Sequence, residues 1–260
     1  MDSKYVEIGD TRTRLQAILH TVGIILLAFV FGLVIADVLT AILAEFVTIA
    51  TSEGEFLPHI SAVRTIAQFV GFMLAVVVYL EWRDERSLIP VAWPTLRSTG
   101  LIVAGFLTLF VLNIAFGLLL SYFGIDVAQN SVIDMGNRNP VFFLYMIPIS
   151  LLFVGPAEEL LFRGVIQELF KRAYGLVPGI LIASALFGMI HVVALLGESP
   201  RAIVAYLAVA GLLGVVLGTL YEITSNIVVP AVIHGVYNAL LFAIAWANAT
   251  YDLGQAAVVL

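Results

Sequence analysis

The chain contains no cysteine and few charged residues. Without cysteine it can form neither a disulfide framework nor a thiolate nucleophile or thiolate metal site. Charged residues make up only 12% of the sequence, and lysine occurs only at Lys4 and Lys171. The net charge of −6, with so few basic residues, disfavours nucleic acid as a partner.

Apolar residues are present in large excess instead. They make up 62% of the chain, and the mean hydropathy is +1.08, whereas a soluble domain has about 45–50% apolar residues. Spanning a bilayer takes about 20 mostly apolar residues per helix. Seven apolar segments meet this length, at 15–49, 62–82, 99–122, 140–170, 175–196, 202–222 and 230–248.

This pattern predicts an all-α transmembrane bundle of seven or eight spans, forming one membrane-embedded domain over residues 1–260 and in contact with the lipid bilayer. An eighth helix fits inside either of two long segments. The first is interrupted by Asp37, and the fourth is interrupted by Pro148 and by Gly155-Pro156.

The distribution of basic residues predicts the orientation in the cell membrane. Lysine and arginine are enriched in cytoplasmic loops. If the N-terminus is cytoplasmic, eight of the 12 basic residues lie on the cytoplasmic side: Lys4, Arg12, Arg14, Arg83, Arg86, Arg97, Lys171 and Arg172. We therefore expect an integral membrane protein of the cell (plasma) membrane with its N-terminus in the cytoplasm.

Two adjacent glutamates and an arginine interrupt the fourth apolar segment, in "GPAEELLFRG". Glu159 and Arg163 are four residues apart on one helix face, in the favourable acid-first order. Glu158 is turned by about 100° from Glu159. The arginine can therefore neutralise Glu159 and leave Glu158 free. Ionisable groups within spans usually face the bundle interior and mark a functional site, although this pair alone is also typical of a structural brace.

Histidine and amide side chains occur in two further spans. Phe187 and His191 are four residues apart in "FGMIH", and His234 and Asn238 are four apart in "HGVYN". A single membrane histidine is as often a hydrogen-bonded packing residue as a functional one. The combination is more informative, because a carboxylate, two histidines and an amide can activate a water molecule and stabilise an oxyanion. Asn226 is more typical of a loop or helix cap.

Together these motifs resemble a known family. "EELLFR" matches E-E-x-x-x-R, "FGMIH" matches F-x-x-x-H and "HGVYN" matches H-x-x-x-N, in that order, in an all-helical membrane protein. The chain is similar here to the CAAX-processing and bacteriocin-processing (CPBP) intramembrane endopeptidases, of which the type II CAAX prenyl endopeptidases are a branch. The resemblance covers about residues 140–248. It implies a hydrolase that cleaves a peptide bond of a membrane-associated protein or peptide, whether or not this substrate is prenylated.

The resemblance also implies roles for individual residues. Glu158 looks like the glutamate that, with His191, binds and deprotonates the attacking water. His234 and Asn238 look like the pair that stabilises the oxyanion. The supporting positions around them are Glu159, Arg163 and Phe187.

Whether the site uses a metal stays open at this point. Glu158, His191 and His234 are three side chains of the kind that bind a catalytic zinc, with water as the fourth ligand. Alternatively Glu158 acts as a general base without a metal. The H-E-x-x-H motif of soluble zinc proteases is absent. We favour water activated by Glu158. Zinc is the one cofactor that these residues suggest, either as the catalytic ion of a metalloendopeptidase or as an ion bound without a catalytic role.

Two other function classes fit the composition. A non-catalytic scaffold or immunity protein of the same family would keep the site, but its function would survive the Glu158→Gln substitution. A small transporter is disfavoured, because the sequence shows no inverted repeat with matched broken helices.

Overall fold

The computed structural model describes residues 9–125, 128 and 130–251. Within these ranges the protein contains helices and no β-strand, and seven of the helices are long and apolar enough to cross a membrane. The spans are α1 (Thr11–Ala44), α2 (Pro58–Arg83), α3 (Leu96–Tyr122), α5 (Val141–Tyr174), α6 (Leu176–Leu195), α7 (Pro200–Thr224) and α8 (Val228–Tyr251). A short helix, α4 (Ser131–Arg138), precedes α5. The all-α prediction with seven spans is confirmed.

Helix α1 is one continuous helix. Its 34 residues correspond to a length of about 51 Å at 1.5 Å per residue. The Asp10 carboxylate caps its start by accepting a hydrogen bond of 2.8 Å from the Thr13 backbone N–H. Asp37 does not break the helix, because its carboxylate is paired with Arg64 of α2 at 2.8 Å.

Helix α5 is also continuous, although two prolines lie within it. Pro148 and Pro156 have no N–H to donate, and a proline ring clashes with the carbonyl four residues earlier. Two wide π-helical stretches, Ser150–Val154 and Leu160–Gln167, accommodate this sequence, and the Gly155 N–H bonds to the Ser150 carbonyl five residues before it. Gly155-Pro156 therefore interrupts the regular α-helix without ending the span, and the fourth apolar segment forms one span rather than two. Such π-helical turns occur frequently at functional sites.

Helix α5 occupies the middle of the bundle. It contacts α2 and α8 along the stretch that carries the two glutamates, and α6 along the stretch that follows. Helices α1 and α2 pack along each other, as do α6 and α7, and α8 also packs against α3. This arrangement encloses the central part of α5.

Several basic residues that the sequence places on one side of the membrane lie at one end of the bundle. Arg172, at the end of α5, donates to Glu85 of the α2–α3 loop at 2.6 Å. Arg14, near the start of α1, lies over the Tyr174 ring at 5.3 Å. Lys4, which belongs to the same prediction, lies outside the described residues.

Candidate active site

A cavity of about 530 Å³ lies at the centre of the bundle, and all eight helices contribute residues to its wall. Five of the seven residues singled out in the sequence line it. These are Glu158, Phe187, His191, His234 and Asn238. The remaining two, Glu159 and Arg163, are buried behind the cavity wall. The helical faces expected from the sequence therefore converge in one place.

Glu159 and Arg163 form an ion pair away from water. Arg163 Nε lies 3.1 Å from Glu159 Oε2, and the two side chains are 1% and 0% exposed. Arg163 Nη2 also donates to the Gly214 carbonyl of α7 at 3.1 Å, and the guanidinium lies over the Phe187 ring at 4.5 Å. The arginine thus connects three helices, which is the geometry that a structural brace requires.

His234 lies between the two glutamates. Its Nδ1 is 2.8 Å from Glu159 Oε1, and its Nε2 is 3.5 Å from Glu158 Oε2. An ionised carboxylate only accepts hydrogen bonds, so the Nδ1 atom carries the proton that faces Glu159. This contact fixes the orientation of the imidazole and turns Nε2 towards Glu158 and the cavity.

Two glycines allow this approach of α8 to α5. A Cβ atom on Gly235 would lie 2.9 Å from the Ser150 carbonyl oxygen, and one on Gly155 would lie 2.8 Å from the Ala231 carbonyl oxygen. The backbones of the two helices are therefore in contact, as small residues permit in membrane proteins. Because His234 directly precedes Gly235 and Glu158 follows Gly155 by three residues, the contact brings both side chains together.

His191 is oriented by its own helix. Its Nδ1 lies 2.7 Å from the Phe187 carbonyl oxygen, which can only accept, so Nδ1–H is the donor. The Nε2 atom of the neutral ring is then left as a hydrogen-bond acceptor. The Phe187 ring holds both imidazoles edge-on, with ring centroids 5.0 Å from His191 and 5.6 Å from His234.

Two tyrosines of the cavity wall were not singled out in the sequence. The Tyr206 hydroxyl accepts a hydrogen bond of 3.3 Å from Asn130, and its ring centroid lies 5.9 Å from that of His191. The Tyr237 hydroxyl accepts one of 2.6 Å from Asn113. These partners are about 80 to 120 residues apart in sequence, so helical spacing gives no signal for them; the position of Tyr237 beside Asn238 in "HGVYN" is the nearest hint.

The structure also shows what Asn226 and Gly164 contact. Asn226 is a cap, because its Oδ1 accepts from Val228 N–H at 3.2 Å and from Ala92 N–H at 3.1 Å. A glycine such as Gly164 often permits close packing of a neighbouring helix. Here, however, the space beside it is filled by the Ile89 side chain of the α2–α3 loop, 2.6 Å from where a Cβ would lie.

The arrangement of the donor side chains decides whether the site can hold a metal ion with three protein ligands. In the described ranges of the chain, no three His, Cys, Asp or Glu side chains are grouped so that they could hold a metal ion. The arrangement of Glu158, His191 and His234 therefore does not match a three-ligand zinc centre. The mechanism proposed below uses protein groups alone.

Comparison with known proteins identifies the same part of the chain as the motifs do. No curated protein and no solved structure matches the chain. A family model, described as "Rce1-like: Type II CAAX prenyl endopeptidase Rce1-like", matches residues 140–240, which contain Glu158, His191, His234 and Asn238. The protein is an integral membrane protein, and over this segment it is similar to the Rce1-like type II CAAX prenyl endopeptidases.

Proposed function

We propose that the protein is an intramembrane endopeptidase of the CAAX-processing type, with Glu158, His191, His234 and Asn238 as its catalytic residues. The observation that carries this proposal is their convergence on one central cavity from α5, α6 and α8. The family match at residues 140–240 supports a proteolytic reaction.

Glu158 is the general base in this proposal. It takes a proton from a water molecule that is also held by the free Nε2 of His191, and the water oxygen attacks the substrate carbonyl carbon. The carbonyl π electrons move to oxygen and form a tetrahedral oxyanion. Glu158 then returns its proton to the amide nitrogen as the C–N bond breaks, which leaves a carboxylic acid and an amine.

His234 and Asn238 stabilise the oxyanion in this proposal. They lie four residues apart on the cavity face of α8. The Asn238 amide is a neutral donor. His234 Nε2 donates only when the ring is an imidazolium, and the buried Glu159 carboxylate, 2.8 Å from Nδ1, supplies the counter-charge. Arg163 in turn holds Glu159 in place.

We expect the substrate to be a membrane-associated protein or peptide. The cavity has mostly apolar walls, and Phe29, Phe69 and Phe72 line it beside the catalytic set. An internally quenched peptide ending in S-farnesylated Cys-Val-Ile-Met is a suitable probe, because the family description names CAAX and prenyl groups. Cleavage by the wild-type protein in liposomes, with no cleavage by the Glu158→Gln variant, would support proteolysis over a scaffold role.

We also propose that the N-terminus is cytoplasmic in the cell membrane. Arg14 and Arg172, which is paired with Glu85, lie at one end of the bundle, and basic residues are enriched on the cytoplasmic side. The absence of native cysteine makes single-cysteine labelling straightforward. In intact cells, a membrane-impermeant maleimide should label Ser52→Cys in the α1–α2 loop and not Ser87→Cys in the α2–α3 loop. The reverse pattern would invert the orientation.

The metal question has a direct test. We expect His234→Ala and Asn238→Ala each to lower turnover by roughly 100- to 1,000-fold, the usual loss for one oxyanion donor. Neither change should alter the metal content measured by mass spectrometry of the purified protein. Stoichiometric zinc that is lost in His234→Ala, and activity that a chelator removes and zinc restores, would contradict the metal-free mechanism.

A further inference from the structure

A second cavity of about 200 Å³ adjoins the active-site cavity. Their walls have five residues in common, so the two cavities lie side by side. The common residues are Leu33, Thr65, Gln68, Ser131 and Val132. The smaller cavity extends away from Glu158 along α2, towards Arg64 and Ser61 near the start of that helix.

This second cavity is more polar than the first, and the positively charged side chain of Arg64 forms part of its wall. Arg64 Nη1 donates to Thr40 Oγ1 at 2.8 Å, which fixes the guanidinium in position. The Ser61 hydroxyl is buried and has no hydrogen-bond partner within the part of the chain that the structure describes. A buried hydroxyl without a partner is energetically costly, so its position in a cavity wall indicates a ligand atom with which it can bond.

The existing partner of Arg64 is exchangeable. Nη2 is paired with Asp37 at 2.8 Å, but the Asp37 side chain is 67% exposed and the Arg64 side chain 24% exposed. An ion pair that is this open on one side contributes little to stability. A second carboxylate that enters the cavity can therefore replace Asp37 or share the guanidinium with it.

We propose that the cavity at Arg64 is a subsite for a carboxylate of the substrate chain. This inference rests on the proposed function. Arginine is the residue best suited to bind a carboxylate, because its planar guanidinium donates two parallel hydrogen bonds. The carboxylate is either the C-terminus of the peptide or an acidic side chain.

The position of Arg64 on α2 indicates how far a bound chain reaches. Arg64 and Phe72 lie eight residues apart on α2, which is about 12 Å along the helix axis. Phe72 lines the active-site cavity together with Glu158. An extended peptide rises about 3.3 Å per residue, so a chain that reaches from Phe72 to Arg64 spans about three or four residues.

The experiment measures binding to the Glu158→Gln variant, so that it does not depend on turnover. The probe is the S-farnesylated Cys-Val-Ile-Met peptide, as the free acid, as the C-terminal amide, and as an amide with Asp or Asn at the last position. Charge-assisted hydrogen bonds of this type correspond to about tenfold or more in affinity. We expect the free acid to bind about tenfold more tightly than the amide, and the Arg64→Gln substitution to bring this ratio close to one.

Three control variants separate recognition from structural support. Arg64→Lys keeps the positive charge but cannot donate two parallel hydrogen bonds. Its ratio of free-acid to amide affinity should lie between those of the parent protein and Arg64→Gln. Asp37→Asn removes the competing carboxylate and should raise the ratio. If the Arg64–Asp37 pair were purely structural, Asp37→Asn and Arg64→Gln would change the ratio in the same way. Arg138→Gln removes another paired arginine, bound to Glu55 at 2.7 Å and outside both cavity walls, and should leave the ratio unchanged.

The outcomes are distinct. A preference for Asp over Asn among the amides, without one for the free C-terminus, assigns the subsite to an acidic side chain. Equal binding of all four peptides, or a ratio that Arg64→Gln does not change, overturns the subsite. Tight, Arg64-dependent binding without cleavage by the wild-type protein supports the subsite and contradicts the proposed proteolysis.

Discussion

Replacement of Glu158 by glutamine should lower the rate of peptide cleavage by about 1,000-fold, within the range of about 10²–10⁴ that general-base catalysis contributes. Glutamine has nearly the same shape and still reaches His234 Nε2, which is 3.5 Å from Glu158 Oε2 in the native protein. It cannot accept a proton from water. The measurement is kcat for the quenched farnesylated peptide in proteoliposomes that contain equal amounts of folded protein.

The same variant should keep its fold. Glu158 lines a cavity, and it lies outside the Glu159–Arg163 ion pair. Its thermal unfolding temperature in detergent should stay close to that of the wild type. The exposed Glu53→Gln variant is the matched control for removal of one carboxylate, and should cleave normally. Retention of more than a tenth of the activity by Glu158→Gln would assign the base to another group.

Replacement of Arg163 by alanine should destabilise the protein by about 3–5 kcal/mol, the usual cost of breaking a buried ion pair by removing one partner. The Glu159 carboxylate, 0% exposed, would lose its cation, and the Gly214 carbonyl would lose its donor. Activity should also fall, because Glu159 orients His234. Equilibrium unfolding in mixed detergent micelles measures the free energy of unfolding directly.

Arg172→Ala is the matched control for Arg163→Ala. It removes an arginine of the same helix that is paired with Glu85 at 2.6 Å but is 48% exposed. Exposed pairs contribute about 0–1 kcal/mol, so this change should be nearly neutral. If Arg163→Ala and Glu158→Gln destabilised the protein equally, the brace and the base would have been assigned to the wrong glutamates.

The motif residues could be placed on the right helices from sequence because a membrane restricts the choices. Long apolar segments form helices in lipid, and ionisable groups within them face inward. These two rules are sufficient to predict seven or eight spans and an inward-facing site that includes Glu158 and His191. They do not predict the shape of α5, where two π-helical stretches follow Pro148 and Pro156.

The contact between Glu159 and His234 was not predictable in this way. Helical periodicity gives the face of a residue on its own helix, but the neighbour that this face meets depends on the register between helices. The register of α5 and α8 is set by the contact of Gly155 and Gly235 with the opposite backbone. The Arg64–Asp37 pair is a similar case, since 27 residues and a helix reversal separate the two side chains.

The brace between α5 and its neighbours has a consequence for biosynthesis. Ribosomes synthesise Glu158, Glu159 and Arg163 before the Gly214 carbonyl and His234, and the last arrives 71 residues after Arg163. At about 5–20 residues per second, this delay is about 4–14 s. Until then the nascent helix carries charges that cost about 2.5–3.5 kcal/mol each at the bilayer centre. The release of α5 from the insertion machinery into lipid should therefore be coupled to the emergence of α7 and α8, rather than occurring helix by helix.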